Sequence, residues 1–82
     1  SQSNSGKKSS AAEERILKKD LTRVERQIQK AKEKVALLTL EQAEASFDAN
    51  RLSEISIELN QLEKELINRE EEWLEITLKL EN

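Results

Sequence analysis

The sequence predicts an all-α protein, a two-helix antiparallel coiled-coil hairpin with a disordered N-terminal tail. Three observations support this prediction. Two long heptad repeats of apolar residues run along the chain, and a cluster of turn-forming residues separates them at Ala43–Arg51. Charged residues make up 38% of the chain and aromatic residues only 2%, with no proline. Such a composition is typical of long helices and coiled coils.

Both repeats advance in alternating steps of three and four residues, which is the spacing of a coiled-coil seam. The first repeat consists of Leu17, Leu21, Val24, Ile28, Ala31, Val35 and Leu38. The second consists of Leu52, Ile55, Leu59, Leu62, Leu66, Arg69, Trp73, Ile76 and Leu80. The two are out of phase, because the first repeat extended past the turn falls on Ser56, Glu63 and Glu70. One continuous helix would bury two carboxylates, so a turn is favoured over a locally overwound single rod.

The elements follow in order along residues 10–82. Residues 1–9 are polar and rich in serine, have nothing to bury, and are predicted to be a disordered tail or linker. Ser10 and Glu13 have the spacing of a capping box, so helix 1 is predicted over about residues 11–45. The tip is predicted at 46–49 and helix 2 at about 49–80. Asp48 is the expected N-cap of helix 2, with Ser46 as the alternative.

Two registers are possible in which each seam residue of helix 1 lies opposite a seam residue of helix 2. The paired residue numbers total 97 in one register and 90 in the other. The 97 register is preferred because it centres the turn between Asp48 and Ala49, and it places Val24 opposite Trp73. Its expected flanking ion pairs are Lys32–Glu63, Lys34–Glu65 and Asp20–Lys79. Exposed pairs contribute only about 0.2–1 kcal/mol each, so the seam holds the fold.

Three residues have predicted structural roles. Phe47, the only phenylalanine, is expected to fold over the last seam layer and close the end of the hairpin. Trp73 is expected in the seam. Arg69 occupies a seam position opposite Ile28, where its stem is expected to pack while its head reaches solvent and marks the register.

Catalysis is not expected in this chain. It has no histidine or cysteine and one glycine, Gly6, so the common general base, thiolate nucleophile, zinc ligands and Gly-rich phosphate loop are missing. The acidic run Glu70–Glu72 is interpreted as a solvated face rather than a metal site. No cofactor is expected.

No apolar run has the length of about 18 residues that a membrane span needs. The chain is therefore expected to be a non-catalytic piece of a longer cytoplasmic protein.

A basic stripe on helix 1 is the main functional signal. Its members follow each other in steps of four, four, three and four, which aligns them on one outer face. The basic stripe consists of Arg15, Lys19, Arg23, Arg26 and Lys30. Residues 1–47 carry a net charge of +3 and residues 48–82 a net charge of −6. The stripe suits contact with a phosphate backbone, while the alternative is an ordinary solvated face.

Apolar residues also lie outside the seam. They are Ile16, Leu37, Leu40, Ile67, Leu74 and Leu78. Two interpretations remain open. Either these residues contact a dimer partner or another part of the parent protein, or they are simply exposed.

Three stretches together resemble the C-terminal coiled-coil domain of ABC-F ATPases of the Uup-like branch. They are Lys7-Lys8-Ser9-Ser10 with Glu13-Glu14-Arg15 before and at the start of helix 1, Ala45-Ser46-Phe47-Asp48 at the tip, and Glu71-Glu72-Trp73-Leu74-Glu75 late in helix 2. The resemblance covers roughly residues 7–82. It implies a helical hairpin at the end of a protein with two tandem ATPase domains, which would bind ATP and magnesium outside this chain. It further implies an appendage that contacts DNA, ribosomal RNA or the ribosome.

Two other functions remain open from the sequence. One is a structural or protein-docking hairpin without a nucleic-acid role. The other is a tRNA-contacting arm of a synthetase, although the proline expected at the tip of the valyl type is missing. Sequence upstream of this chain would separate the three.

Overall fold

The computed structural model describes residues 11–81. They form two α-helices, α1 (Ala11–Glu44) and α2 (Ala49–Glu81), which pack against each other. The two helices lie side by side in an elongated rod, and each is about 50 Å long at 1.5 Å per residue. The predicted all-α helical hairpin is thereby confirmed. The predicted tail at residues 1–9 and Ser10 of the predicted capping box lie outside the described residues.

The core is one narrow apolar seam between the helices. The buried residues of α1 recur every seven positions, and those of α2 are separated by three heptads. They are Val24, Ala31, Leu38, Ile55 and Ile76. We letter the heptads so that all five occupy position d, and the a residues between them, such as Ile28 and Leu59, are half-buried. The burial is therefore concentrated on the d side of the seam, and Val24 and Ile55 are completely buried.

A backbone hydrogen bond and a side-chain helix cap stabilise the connection at residues 45–48. The Asp48 N–H donates to the Ala45 carbonyl at 2.9 Å, which closes the turn. The Arg51 N–H then donates to Asp48 Oδ1 at 3.1 Å. Because this carboxylate satisfies a backbone donor in the first turn of α2, the prediction that Asp48 is the N-cap is confirmed.

The expectation for Phe47 is wrong. Its side chain is fully exposed at the tip, with a relative accessibility of 103%, and covers no seam layer. Phe47 lies inside the hydrogen-bonded turn between Ala45 and Asp48. This four-residue connection has no slack with which to lay the ring back over the helices. The seam at this end is covered instead by Leu38, which is buried, and Leu52, which is half-buried.

Two contacts in the middle of the rod bear on the register. Trp73 bonds to Glu25 and Arg23 pairs with Glu72, so the residue numbers total 98 and 95. With a rise of 1.5 Å per residue, both pairs are level to within about 3 Å in the 97 register. In the 90 register they would be about 7–12 Å apart along the axis. These two contacts favour the 97 register, whereas the third cross-helix contact, Arg51–Glu41 beside the turn, totals 92 and lies closer to the 90 register.

The three ion pairs expected beside the seam do not form. In the part of the chain that the structure describes, Asp20 pairs with Arg23 at 3.8 Å rather than with Lys79. Neither Lys32 nor Lys34 has a carboxylate within ion-pair distance among residues 11–81. Long solvated side chains gain little from such pairs, because the entropy of holding them offsets the attraction.

Disulfide trapping checks the register. The chain contains no cysteine, so an introduced pair supplies the only thiols. We expect the Val24→Cys/Trp73→Cys variant to form an intramolecular disulfide efficiently under mild oxidation, detected by mass spectrometry. The matched Leu17→Cys/Trp73→Cys variant is expected to stay reduced, because its Cα atoms would lie beyond the distance of about 7 Å that a disulfide spans. The reverse pattern would assign the 90 register.

Candidate nucleic-acid interface

The basic stripe lies on the outer face of α1, and all five of its side chains are exposed. Four of them make no ion pair and no side-chain hydrogen bond within residues 11–81, namely Arg15, Lys19, Arg26 and Lys30. From Arg15 to Lys30 the stripe is about 22 Å long at 1.5 Å per residue. The helix therefore presents four uncompensated cations along one straight edge.

Arg23, the fifth member of the stripe, is held differently. Its Nη2 lies 3.0 Å from Glu72 Oε2 on α2, and its Nη1 donates to Gln27 Oε1 at 3.3 Å. Asp20 lies 3.8 Å away on the same helix. Arg23 thus ties the two helices together, and its charge is already compensated. Spacing within helix 1 could not reveal this, because Glu72 follows 49 residues later.

Glu72 joins three side chains into one cluster. Besides Arg23, it accepts a hydrogen bond from Arg69 Nη1 at 3.2 Å. The hydrogen bond from Arg23 is the main reason that the pKa of Glu72 is lowered, and Arg69 adds to the effect against partial desolvation. The Nε atom of Arg69 is buried without a hydrogen-bond partner, so the stem packs against the seam while the head lies on Glu72.

The acid sensitivity of the hairpin tests this cluster. Because the pKa of Glu72 is lower in the folded state than its ordinary value of 4.5, its contribution to stability is present above that pH. The contribution is lost as the pH falls through the folded pKa. We expect Glu72→Gln to lower the thermal midpoint at about pH 6 and to have a smaller effect at about pH 3.

Glu71→Gln is the matched control for that measurement, since the neighbouring Glu71 forms no ion pair in the described part of the chain. Its midpoint is expected to follow that of the unmodified chain at both pH values. If the two variants have the same pH dependence, the cluster does not stabilise the fold.

Trp73 lies half-buried in the seam, and its indole N–H has a hydrogen-bond partner. The indole Nε1–H donates to Glu25 Oε2 at 3.0 Å across the two helices. This bond lets a large aromatic side chain pack against the seam without leaving its N–H unpaired. The N–H edge of the indole is therefore already engaged, and the ring is half-buried.

A second cross-helix ion pair lies near the tip, on the same face as Arg23 and Glu72. Arg51 Nη2 lies 2.8 and 2.9 Å from the two carboxylate oxygens of Glu41, and its Nη1 lies 3.1 Å from Glu54. The hydrogen bonds that Arg51 donates to Glu41 and, to a smaller extent, to Glu54 raise the pKa of Arg51. Sequence reasoning missed this pair, because it joins two g positions across the turn.

The off-seam apolar residues are exposed, as their positions outside the seam require. Ile67, Leu74 and Leu78 on α2 are 55%, 53% and 51% exposed. Ile16, Leu37 and Leu40 on α1 are exposed to a similar degree, and Ile57 of α2 joins them. Sequence analysis overlooked Ile57, although its f position already placed it outside the seam.

The chain matches no protein-family model, and no curated protein or solved structure shows significant similarity to it. Neither helix of residues 11–81 combines the length and apolarity that crossing a membrane requires. Within the same residues, no group of three or more carboxylate, histidine or cysteine side chains is arranged to hold a metal ion.

Proposed function

We propose that this hairpin is a non-catalytic nucleic-acid-binding appendage that contacts a phosphate backbone through the outer face of α1. The observation that carries the proposal is the row of four exposed cations that have no partner among residues 11–81: Arg15, Lys19, Arg26 and Lys30. Cations already held by carboxylates would have to exchange one partner for another. These four can neutralise phosphates and release counterions without that cost.

The shape of the stripe supports a backbone contact rather than base recognition. Four cations over about 22 Å can follow a run of phosphates along a duplex or a structured RNA. Base stacking needs exposed aromatic rings beside the charges. Of the two aromatic residues, Phe47 lies at the far tip and Trp73 is bonded to Glu25. The proposed contact is therefore independent of sequence.

The unequal charges of the two helices determine which side of the hairpin would face a nucleic acid. Residues 48–82, which include all of α2, carry a net charge of −6. A polyanion is repelled from that side and attracted to α1. The resemblance to the ABC-F coiled-coil domain suggests the larger setting. There the hairpin would be the C-terminal appendage of a cytoplasmic protein whose upstream domains bind ATP and magnesium, and its partner would be DNA or ribosomal RNA.

A salt titration tests the proposal. Fluorescence anisotropy with labelled duplex DNA and with a structured RNA is expected to detect binding at about 50 mM salt. Four neutralised phosphates predict a slope of log affinity against log salt of about −3 to −4. The affinity should then fall about a hundredfold between 50 and 200 mM salt. If both nucleic acids fail to bind at low salt, or if the affinity is independent of salt, the proposal is wrong.

The second candidate function is a structural or protein-docking hairpin. The observation that favours it is the apolar side of α2, where Ile67, Leu74 and Leu78 are each about half exposed on neighbouring positions of one outer face. Substitution of Leu74 by Lys separates the two functions, because it leaves the outer face of α1 unchanged. If nucleic-acid binding is lost in that variant, α2 takes part in the contact.

A further inference from the structure

A groove runs between the two helices on the face that carries the cross-helix ion pairs. Two adjoining cavities of about 380 and 440 Å³ lie along it, and both are lined by Lys34, Leu37, Leu62 and Glu65. Ala31 lies under one cavity and Leu38 under the other. Ala31 is the only alanine in a seam that otherwise holds larger side chains, so this layer is under-filled.

A cross-helix ion pair closes the groove at each end. Glu41 and Arg51 bridge the helices at the tip end, and Arg23 and Glu72 bridge them at the other. Along α1 the two bridges are 18 residues, or about 27 Å, apart. The open stretch between Gln27 and Glu41 is about 21 Å long, which is the length of a helix of about 14 residues.

Charges across the groove face each other without pairing. Glu33 also lines the α1 side, where it accepts a hydrogen bond from Gln29. The α1 wall carries Lys30 and Lys34, and the α2 wall carries Glu58 and Glu65. Within residues 11–81 none of these four side chains has a salt-bridge partner, although both bridges at the ends of the groove are closed. The groove thus keeps an apolar floor, a basic wall and an acidic wall, all available to a third element.

We propose that this groove binds a third α-helix, contributed by a partner, that is amphipathic and carries opposite charges on its two flanks. Its apolar stripe lies on Leu37, Leu38 and Leu62, and its acidic flank faces Lys30 and Lys34. Its basic flank faces Glu58 and Glu65. Apolar anchors repeating over about four turns, edged by charges of both signs, are the features that a groove of this kind recognises. The proposal goes beyond the nucleic-acid contact and shares only Lys30 with it.

A designed peptide series tests the charge rule. The probe is a fluorescein-labelled, capped 14-residue helix with leucine along one stripe, glutamate on one flank and lysine on the other. Two comparison peptides keep the leucine stripe but carry glutamate or lysine on both flanks. We expect the mixed-flank peptide to bind about fivefold or more tightly than either comparison peptide. Exchanging the two flanks would be no control, because a helix laid in the opposite direction exchanges them as well.

Two charge variants separate the groove from general electrostatics. In Glu58→Lys/Glu65→Lys both walls are basic, so the preference is expected to move to the peptide with two acidic flanks. The control Glu63→Lys/Glu70→Lys changes the net charge equally at e positions, on the other face of the hairpin. It is expected to keep the preference for the mixed-flank peptide. Circular dichroism verifies that both variants remain folded.

Three results would overturn the proposal. The first is that none of the three peptides binds to the unmodified hairpin at several hundred micromolar. The second is that all three bind equally, or that both charge variants change the preference alike, which would indicate non-specific attraction. The third is a concentration-dependent dimer in sedimentation that is abolished by Ala31→Leu, which would assign the groove to a second copy of this chain.

Discussion

Replacing Ile55 by alanine is expected to lower the free energy of unfolding by about 2–5 kcal/mol. Ile55 is completely buried, and only five side chains in residues 11–81 are less than one tenth exposed. A hairpin has one seam and no second layer that can move in to fill the space. The loss is therefore expected near the upper end of the range, which is a large share of the stability of a small domain. Urea denaturation followed by circular dichroism measures it.

The chain offers a matched control two residues away. Ile57 lies on the same helix and is 56% exposed, so Ile57→Ala makes the same chemical change outside the seam. Its effect on the free energy of unfolding is expected to be within about 0.5 kcal/mol. Equal effects of the two substitutions would contradict the assignment of d positions to the buried side of α2.

Reversing the four free cations of the basic stripe is expected to reduce nucleic-acid affinity by more than about a hundredfold at 100 mM salt. The variant is Arg15→Glu/Lys19→Glu/Arg26→Glu/Lys30→Glu. Each substitution removes a phosphate contact and places a carboxylate against the same polyanion. Arg23 is left in place, because its guanidinium is held by Glu72 at 3.0 Å. Fluorescence anisotropy measures the affinity, and circular dichroism verifies the fold.

The control for this variant is Lys18→Glu/Lys32→Glu/Lys64→Glu/Lys79→Glu. It changes the net charge by the same amount at four exposed lysines that lie outside the stripe. Lys64 and Lys79 lie on the other helix, and Lys18 and Lys32 lie on α1 at e positions, away from the b, c and f positions of the stripe. We expect the control to retain affinity to within about tenfold. Equal losses in both variants would mean that total charge, rather than the stripe, determines binding.

Local pattern was sufficient to predict the fold. The alternating steps of three and four residues identify the seam, and Val24, Leu38 and Ile76 are buried where that spacing places them. The phase break after Leu38 predicts the turn, because a continuous helix would have placed Glu63 and Glu70 in its core. Asp48 could be identified as a cap from its position before the second repeat. Each of these inferences uses interactions within a few residues of chain.

What the sequence left open depends on contacts between distant residues. The expectation for Phe47 assumed slack in the turn that the hydrogen-bonded connection does not have. Arg23 was grouped with the stripe because Glu72, which holds it, is reached only through the register. The pairing predicted for Lys34 and Glu65 does not form, although both side chains line the same groove. Periodicity gives the face on which a side chain lies, but not which of its neighbours it will reach.

The resistance of the hairpin to a pulling force depends on where the force is applied. The helices are joined only at residues 45–48, so Ala11 and Glu81 lie together at the opposite end of the rod. A pull applied between those two residues loads the seam one layer at a time, starting with the layer farthest from the turn. A pull between the turn and that end runs along both helix axes, so it is carried by the backbone hydrogen bonds of the helices rather than by the seam. The force that the rod withstands therefore depends on where a partner holds it.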